Sequence, residues 1–83
     1  MQHSYMVYSA GGECYVETTP TPMELEQLQT LVGGYIEMHR YGDFTVAVNE
    51  EGRLRGLPVN QQFPEFRGTV VQGVVNEDGE FIG

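Results

Sequence analysis

The chain has 83 residues, a formal net charge of −8 and a hydrophobic content of 40%. At roughly 100–200 residues per domain, this length predicts one domain over residues 1–83 and argues against a second. Surface scaling predicts a folded surface of roughly 5,000 Å², which leaves one modest core and little room for a deep pocket in a single chain. The hydrophobic content argues against wholesale disorder.

The charge balance limits the classes of partner. Twelve Asp and Glu residues stand against four Arg and no Lys. Direct binding to nucleic acid or to an anionic membrane is disfavoured, because both depend on cationic side chains. The charge instead suits a partner protein with a basic surface, although an acidic domain without such a partner has the same composition.

The single cysteine and the first residues of the chain indicate in which cellular compartment the protein is expected. Cys14 is the only cysteine, so neither an intramolecular disulfide nor a multi-cysteine zinc site can form. The first residues lack a cationic segment followed by an apolar run, and no stretch is apolar enough to span a membrane. We therefore expect a cytoplasmic protein that is not inserted in a membrane.

The first predicted element is a β-hairpin. Residues 4–9 and 13–18 are rich in Tyr and Val, and the turn residues Ala10, Gly11 and Gly12 separate them.

The next segment predicts the one helix of the chain. Thr21 suits the N-cap, Pro22 the first helical position and Glu24 a capping box, while Gly33 suits the end of the last turn. An apolar stripe with helical spacing predicts the face that packs on a sheet, and it comprises Leu25, Leu28, Leu31 and Val32.

A second hairpin is predicted for residues 35–40 and 44–49, which flank a turn at 41–43. In its second strand Phe44, Val46 and Val48 share one face, which predicts a strand that is buried on one side only.

The remaining segments complete the predicted fold. We expect a turn at 49–52, a short edge strand at 53–55, an ordered loop at 57–66 and a third hairpin within 69–82. The sequence thus predicts an α+β fold, in which one helix packs on a mainly antiparallel sheet of about five to six short strands.

Two separated blocks, LVGGYIEMHR and VAVNEEGRLRGLPVN, carry a family resemblance. Their specific parts are GGYIE at 33–37, the turn at 49–52, and Gly56-Leu57-Pro58 followed by Asn60. With these features, the stretch from about residue 28 to residue 83 resembles the uncharacterised family domain of unknown function 3846, found in small proteins of phages, plasmids and bacteria. The resemblance implies a mobile-element context and a small α+β fold, and it implies no activity.

The block NEEGRLRGLPVN at 49–60 combines carboxylates, arginines and turn residues. Glu50 and Glu51 suit hydrogen-bond acceptance or cation binding, and Arg53 and Arg55 suit the binding of a phosphate or carboxylate. The structural alternative is a turn in which Arg53 pairs with a nearby Glu. The acids do not follow the order of a calcium-binding loop.

Glu37 and His39 lie two residues apart, on one face of a predicted strand. A carboxylate beside an imidazole can perform acid–base chemistry, or can complete a metal site with Glu50 or His3. The structural alternative is a solvated strand face opposite the core residues Ile36 and Met38.

Nine Tyr and Phe residues exceed what one small core takes up. The proline-stiffened stretch QQFPEFRG at 61–68 predicts that Phe63 and Phe66 are exposed as anchors for a partner. The alternative is that the aromatic residues simply suit strands.

The leading functional hypothesis is a non-enzymatic acidic interaction protein of phage or mobile-element origin that binds a basic surface on a host protein. A host-defence inhibitor, such as an anti-CRISPR or a DNA mimic, is one concrete version. The candidate contact residues are Glu37, Glu50, Glu51, Arg53, Arg55, Phe63 and Phe66.

Two further hypotheses stay open. The chain is alternatively an oligomer, for instance a homodimer, that binds a small nucleotide-like ligand through Arg40, Arg53, Arg55 and Arg67. The third hypothesis is a small enzyme that uses Glu37 and His39. We expect neither a metal nor a cofactor.

Overall fold

One helix packs against a five-stranded antiparallel sheet, which confirms the predicted α+β arrangement. The computed structural model describes residues 2–83. In chain order the elements are β1 (His3–Tyr8), β2 (Cys14–Thr19), α1 (Leu25–Val32), β3 (Ile36–Tyr41), β4 (Phe44–Asn49) and β5 (Val70–Gly73). The strand order is β2-β1-β5-β4-β3, so β5 joins two hairpins.

The first two predicted hairpins are confirmed. β1 pairs with β2, and β3 with β4, along all six residues of each strand. The second turn contains Gly42 at a φ of 59°, a left-handed conformation that favours glycine. The third predicted hairpin is confirmed in a short form, since Val75 forms a bridge with Phe81 and the N–H of Ile82 donates to the carbonyl of Val74 at 2.8 Å. The Phe81 ring packs into the core beside Tyr5.

The helix begins later than predicted. Its first residue is Leu25 rather than Pro22, and its N-cap is Glu24 rather than Thr21. The Glu24 carboxylate accepts a hydrogen bond from the backbone N–H of Gln27, whose side chain accepts one of 2.8 Å from the Glu24 N–H. The capping box is therefore present, but it is shifted along the chain.

A long-range contact explains this shift. The backbone N–H of Met23 donates a hydrogen bond of 2.9 Å to the hydroxyl of Tyr5, so residues before Leu25 are held against β1 instead of entering the helix. The predicted apolar face is also only partly correct. Leu28 and Val32 are buried, whereas Leu25 is 57% exposed. No helix within residues 2–83 is long and apolar enough to cross a membrane.

Both faces of the sheet are covered. On the helix side the core is formed by Tyr5, Val7, Met23, Leu28, Val32, Ala47, Val71 and Phe81. A second core contains Val46, Val48 and Val70, packed against Tyr8, Tyr41, Phe44, Phe63 and Phe66. The prediction that β4 is half-buried is consequently wrong, because residues 57–68, termed the covering loop, close its second face.

Asn60 holds the covering loop in place. Its side chain is fully buried, and Nδ2 donates hydrogen bonds of 3.1 Å to the carbonyl of Tyr8 and 2.9 Å to that of Gly68. Oδ1 accepts bonds of 2.9 and 3.0 Å from two backbone N–H groups of the loop. One amide thus satisfies four backbone groups where the loop crosses the sheet.

The predicted edge strand at 53–55 is wrong. The backbone N–H of Arg55 donates to the carbonyl of Glu51 at 2.9 Å, and that of Leu57 donates to Gly52 at 3.0 Å, so residues 51–56 form consecutive turns. The turn at 49–52 is confirmed, because the Gly52 N–H donates to the Asn49 carbonyl at 3.2 Å.

Candidate functional site

A cleft of about 230 Å³ lies between β3, the turn after β4 and the covering loop. The register pairs Glu37 with Val48 and His39 with Val46, so both polar residues lie on the face that the loop covers. The cleft, termed the β3 cleft, is lined chiefly by Glu37, His39, Glu50, Arg53, Leu54, Glu65, Phe66 and Arg67.

The structure brings together part of the predicted contact set. Glu37, Glu50, Arg53 and Phe66 all line the β3 cleft, although they come from a strand, a turn and a loop. Four predicted contact residues that are separated in sequence therefore lie around one cleft in the fold.

The other three predicted contact residues lie elsewhere. Arg55 donates a hydrogen bond of 2.6 Å from Nη1 to the carbonyl of Gly33, which ends α1 in a left-handed conformation, as predicted. Glu51 is half-buried outside the cleft, and its N–H donates to Oδ1 of Asn49 at 2.8 Å. Phe63 packs against Tyr8, with ring centroids 5.2 Å apart.

The prediction of two exposed aromatic anchors is wrong. Phe63 and Phe66 are both half-buried in the second core, and the Phe66 ring centroid lies 4.7 Å from that of His39. Asn60 is the physical reason, because its hydrogen bonds fold the loop back onto the sheet. These rings stabilise the covering loop, and only the exposed part of Phe66 contributes to the cleft.

The side chains of Glu37 and His39 approach each other in the cleft. Oε2 of Glu37 lies 3.2 Å from Nε2 of His39. That nitrogen is buried and has no aligned hydrogen-bond partner within residues 2–83, so the contact is a close approach and not a formed hydrogen bond. Since the Glu37 side chain is 55% exposed, solvent screens the contact. The predicted solvated strand face is confirmed for Glu37, which is exposed, but not for His39, which is half-buried. On the other face Ile36 packs against the helix-side core as predicted, whereas Met38 is 40% exposed.

No complete metal site accompanies this pair. His3 lies outside the cleft, with Nδ1 at 2.8 Å from the carbonyl of Ile82, while Glu50 lines the cleft. The part of the chain that the structure describes contains no group of three or more His, Cys, Asp or Glu residues that could hold a metal ion.

The arginines do not pair with carboxylates. Within residues 2–83 the only close contact between a carboxylate and a basic side chain joins Glu37 to His39. The predicted pairing of Arg53 with a nearby Glu is therefore wrong. Arg53 and Arg67 line the cleft, and Nη1 of Arg67 donates to the Leu57 carbonyl at 3.3 Å.

The four arginines also do not converge on one ligand site. Arg55 is bound to the end of α1, and Arg40 lines a separate pocket of about 90 Å³ with Asp43 and Asn76. Within one chain only Arg53 and Arg67 line the same cleft, and the anion site between subunits stays a prediction.

Glu65 is the cleft residue that sequence reasoning missed. It stands next to Phe66 in the covering loop and reaches the cleft only because Asn60 folds that loop onto β3 and β4. No local pattern marks it. Burial and then the Glu65 carboxylate raise the pKa of Tyr41 above its ordinary value.

The first 39 residues carry acids but no basic side chain other than histidine. Residues 1–39 contain five Glu and no Lys or Arg. A groove of about 460 Å³ lies between β2 and α1 on this side, and it is termed the β2 groove. Its lining includes the apolar residues Pro20, Met23 and Leu31 together with Glu17.

The comparisons with known proteins concern the whole chain. A family model described as "Domain of unknown function (DUF3846)" matches residues 2–83. The match extends the resemblance of residues 28–83 to include the hairpin of β1 and β2. No curated protein and no solved structure matches the chain.

Proposed function

The chain belongs to the DUF3846 family, and from this premise we propose that it is a non-enzymatic acidic interaction protein of phage or mobile-element origin that binds a basic surface on a host protein in the cytoplasm. Inhibition of a host-defence protein is a concrete form of this function. The observation that best supports this proposal is that no carboxylate of the chain forms an ion pair with an arginine within residues 2–83.

Unpaired carboxylates favour binding to a basic partner for an electrostatic reason. Nearly all of the twelve acids are solvent-exposed, and the net charge of −8 is not offset by local ion pairs. Such a surface raises the association rate with an oppositely charged partner, and salt weakens this attraction over a Debye length of about 8 Å. Binding is therefore expected to be strong at low salt and weak at high salt.

The experiment compares two variants of equal net charge. One replaces three exposed acids with neutral isosteres, and the other adds three lysines at exposed glutamines. The first is Glu13→Gln, Glu24→Gln and Glu26→Gln, and the second is Gln2→Lys, Gln61→Lys and Gln62→Lys. Each tagged protein is incubated with host lysate, and bound proteins are eluted by rising salt and identified.

The expected result is a stoichiometric basic partner that salt releases. The variant without the three carboxylates should release this partner at lower salt than the variant with the three added lysines, because only the former removes contact groups. Retention at high salt, or identical elution of both variants, would contradict the proposal.

A nucleotide-like ligand is the second candidate, and the β3 cleft favours it. Arg53 has no ion pair, and Phe66 provides an aromatic surface beside it. However, the cleft volume of about 230 Å³ lies below the roughly 300–1,000 Å³ typical of ligand pockets, so a second chain would have to complete the site. Equilibrium dialysis with adenosine monophosphate tests this. Binding should weaken about tenfold in Arg53→Ala and persist in Arg40→Ala.

A further inference from the structure

The outer edge of β2 is an unpaired strand edge. β2 is first in the strand order, and within residues 2–83 only β1 pairs with it. The N–H of Ser9 donates to the carbonyl of Glu13 at 2.8 Å, so these two residues form a hydrogen-bonded pair. Because bonded and non-bonded pairs alternate along an antiparallel ladder, Cys14, Val16 and Thr18 direct their N–H and C=O groups away from β1.

The β2 edge is less protected against pairing than the other edge strand. Proteins shield edge strands with lysine, proline or other charges that disfavour a further strand. The opposite edge, β3, carries Glu37, His39 and Arg40. β2 carries one charged residue, Glu17, and no Lys, Arg or Pro, and it exposes Val16 and Tyr15 by 56% and 48% on its two faces.

The acidic residues near the β2 edge favour one kind of binding partner. Glu17 lies on the helix-side face of β2, because it pairs with Tyr5 of the helix-side core, and it lines the β2 groove. Glu24 and Glu26 lie at the start of α1, whose later residues line the same groove. No Lys or Arg occurs in residues 1–39 to offset these carboxylates. A second copy of the chain would bring like charges together, whereas a basic segment would not.

We infer that β2 binds an extended, basic segment of the partner protein as a sixth strand, with apolar side chains of that segment in the β2 groove. This inference rests on the proposed function and assigns its contact surface. Main-chain hydrogen bonds to Cys14, Val16 and Thr18 supply affinity. The apolar part of the β2 groove selects apolar side chains of the bound segment, and Glu17 selects cationic ones.

The test uses a fluorescent peptide of alternating Lys and Val, roughly eight residues long to match a strand. Its counterpart of alternating Glu and Val is the charge control. Val16→Lys places a charge on the β2 edge, and Met38→Lys is the matched control, since Met38 is an exposed apolar residue of the other edge strand. Val16→Pro is a second variant of the same edge, and it removes the N–H of residue 16, which points away from β1.

The Lys-Val peptide should bind and the Glu-Val peptide should not. Affinity should fall about tenfold or more in Val16→Lys and Val16→Pro, and change less than about threefold in Met38→Lys. Hydrogen exchange at the amides of Cys14, Val16 and Thr18 should slow when the peptide binds. Circular dichroism of each variant checks that the fold is retained.

Three outcomes would overturn the inference. These are no binding of the Lys-Val peptide, equal weakening by the β2 and β3 substitutions, or a β2-edge dimer of the free protein in sedimentation. If salt-released host binding persists in Val16→Lys, the proposed function stands and only the β2 assignment fails. If wild-type protein captures no basic partner at low salt, the proposed function itself fails.

Discussion

The hydroxyl of Tyr5 donates a hydrogen bond of 2.7 Å to the backbone carbonyl of Phe81. The same oxygen accepts the bond from Met23, so one fully buried phenol connects β1 to two later segments of the chain. We expect Tyr5→Phe to leave both backbone groups unsatisfied and to lower the free energy of unfolding by about 2 kcal/mol or more. Urea denaturation measures this, with the exposed Tyr15→Phe as a control that should change it by less than about 0.5 kcal/mol. Equal stability of the two variants would contradict the role of this hydroxyl.

Asn60 should be decisive for the covering loop. Asn60→Ala removes the partners of four backbone groups, so we expect a loss of about 2–4 kcal/mol and faster amide exchange within residues 57–68. The exposed Gln62→Ala serves as control. If exchange in the loop stayed slow in Asn60→Ala, some other contact would hold it against β4.

Gly73 lies where two aromatic rings meet. A Cβ atom there would come within 2.9 Å of the Phe81 ring and 3.0 Å of the Tyr5 ring. Because packed rings move little, we expect Gly73→Ala to destabilise the protein by about 1–3 kcal/mol. Gly11→Ala has no atom within 4 Å of the new Cβ and should be nearly neutral in thermal denaturation. A neutral Gly73→Ala would mean that the rings repack freely.

The raised pKa of Tyr41 predicts that the folded protein loses stability at alkaline pH. Burial and then Glu65 raise its pKa above the ordinary value of 10.0, so the folded state holds the phenolic proton more tightly than the unfolded state. This stabilisation is fully present below pH 10 and is lost as pH rises through the raised folded pKa. Tyr8, whose pKa burial also raises, acts in the same direction.

Urea unfolding between about pH 9 and about pH 11 checks this prediction. The decline in unfolding free energy should be smaller in Tyr41→Phe than in wild type, and Glu65→Gln should reduce it in part. A decline of the same size in Tyr41→Phe would show that other groups cause it.

Local signals predicted the parts of the fold that depend on neighbouring residues. Gly12 and Gly42 mark tight turns, and Gly33 ends α1, because these positions need backbone conformations that glycine favours. The start of α1 could not be predicted in the same way. It depends on Tyr5 capturing the N–H of Met23, a contact between residues distant in sequence.

The same distinction applies to the candidate site. Glu37 and His39 were recognisable as a pair because alternation along a strand places them on one face. The inward packing of Phe63 and Phe66 was not recognisable, because it depends on Asn60 reaching across to the carbonyl of Tyr8. The strand order has no local signal either, since β5 pairs with β1 across most of the chain.

The central position of β5 also determines when the protein can fold during synthesis. The β1–β2 and β3–β4 hairpins are synthesised before β5, but an isolated two-stranded hairpin is at best marginally stable in water. They become one sheet only after Val70–Gly73 leaves the ribosome. Until then the unpaired strand edges of both hairpins are open to chaperones and to misassembly.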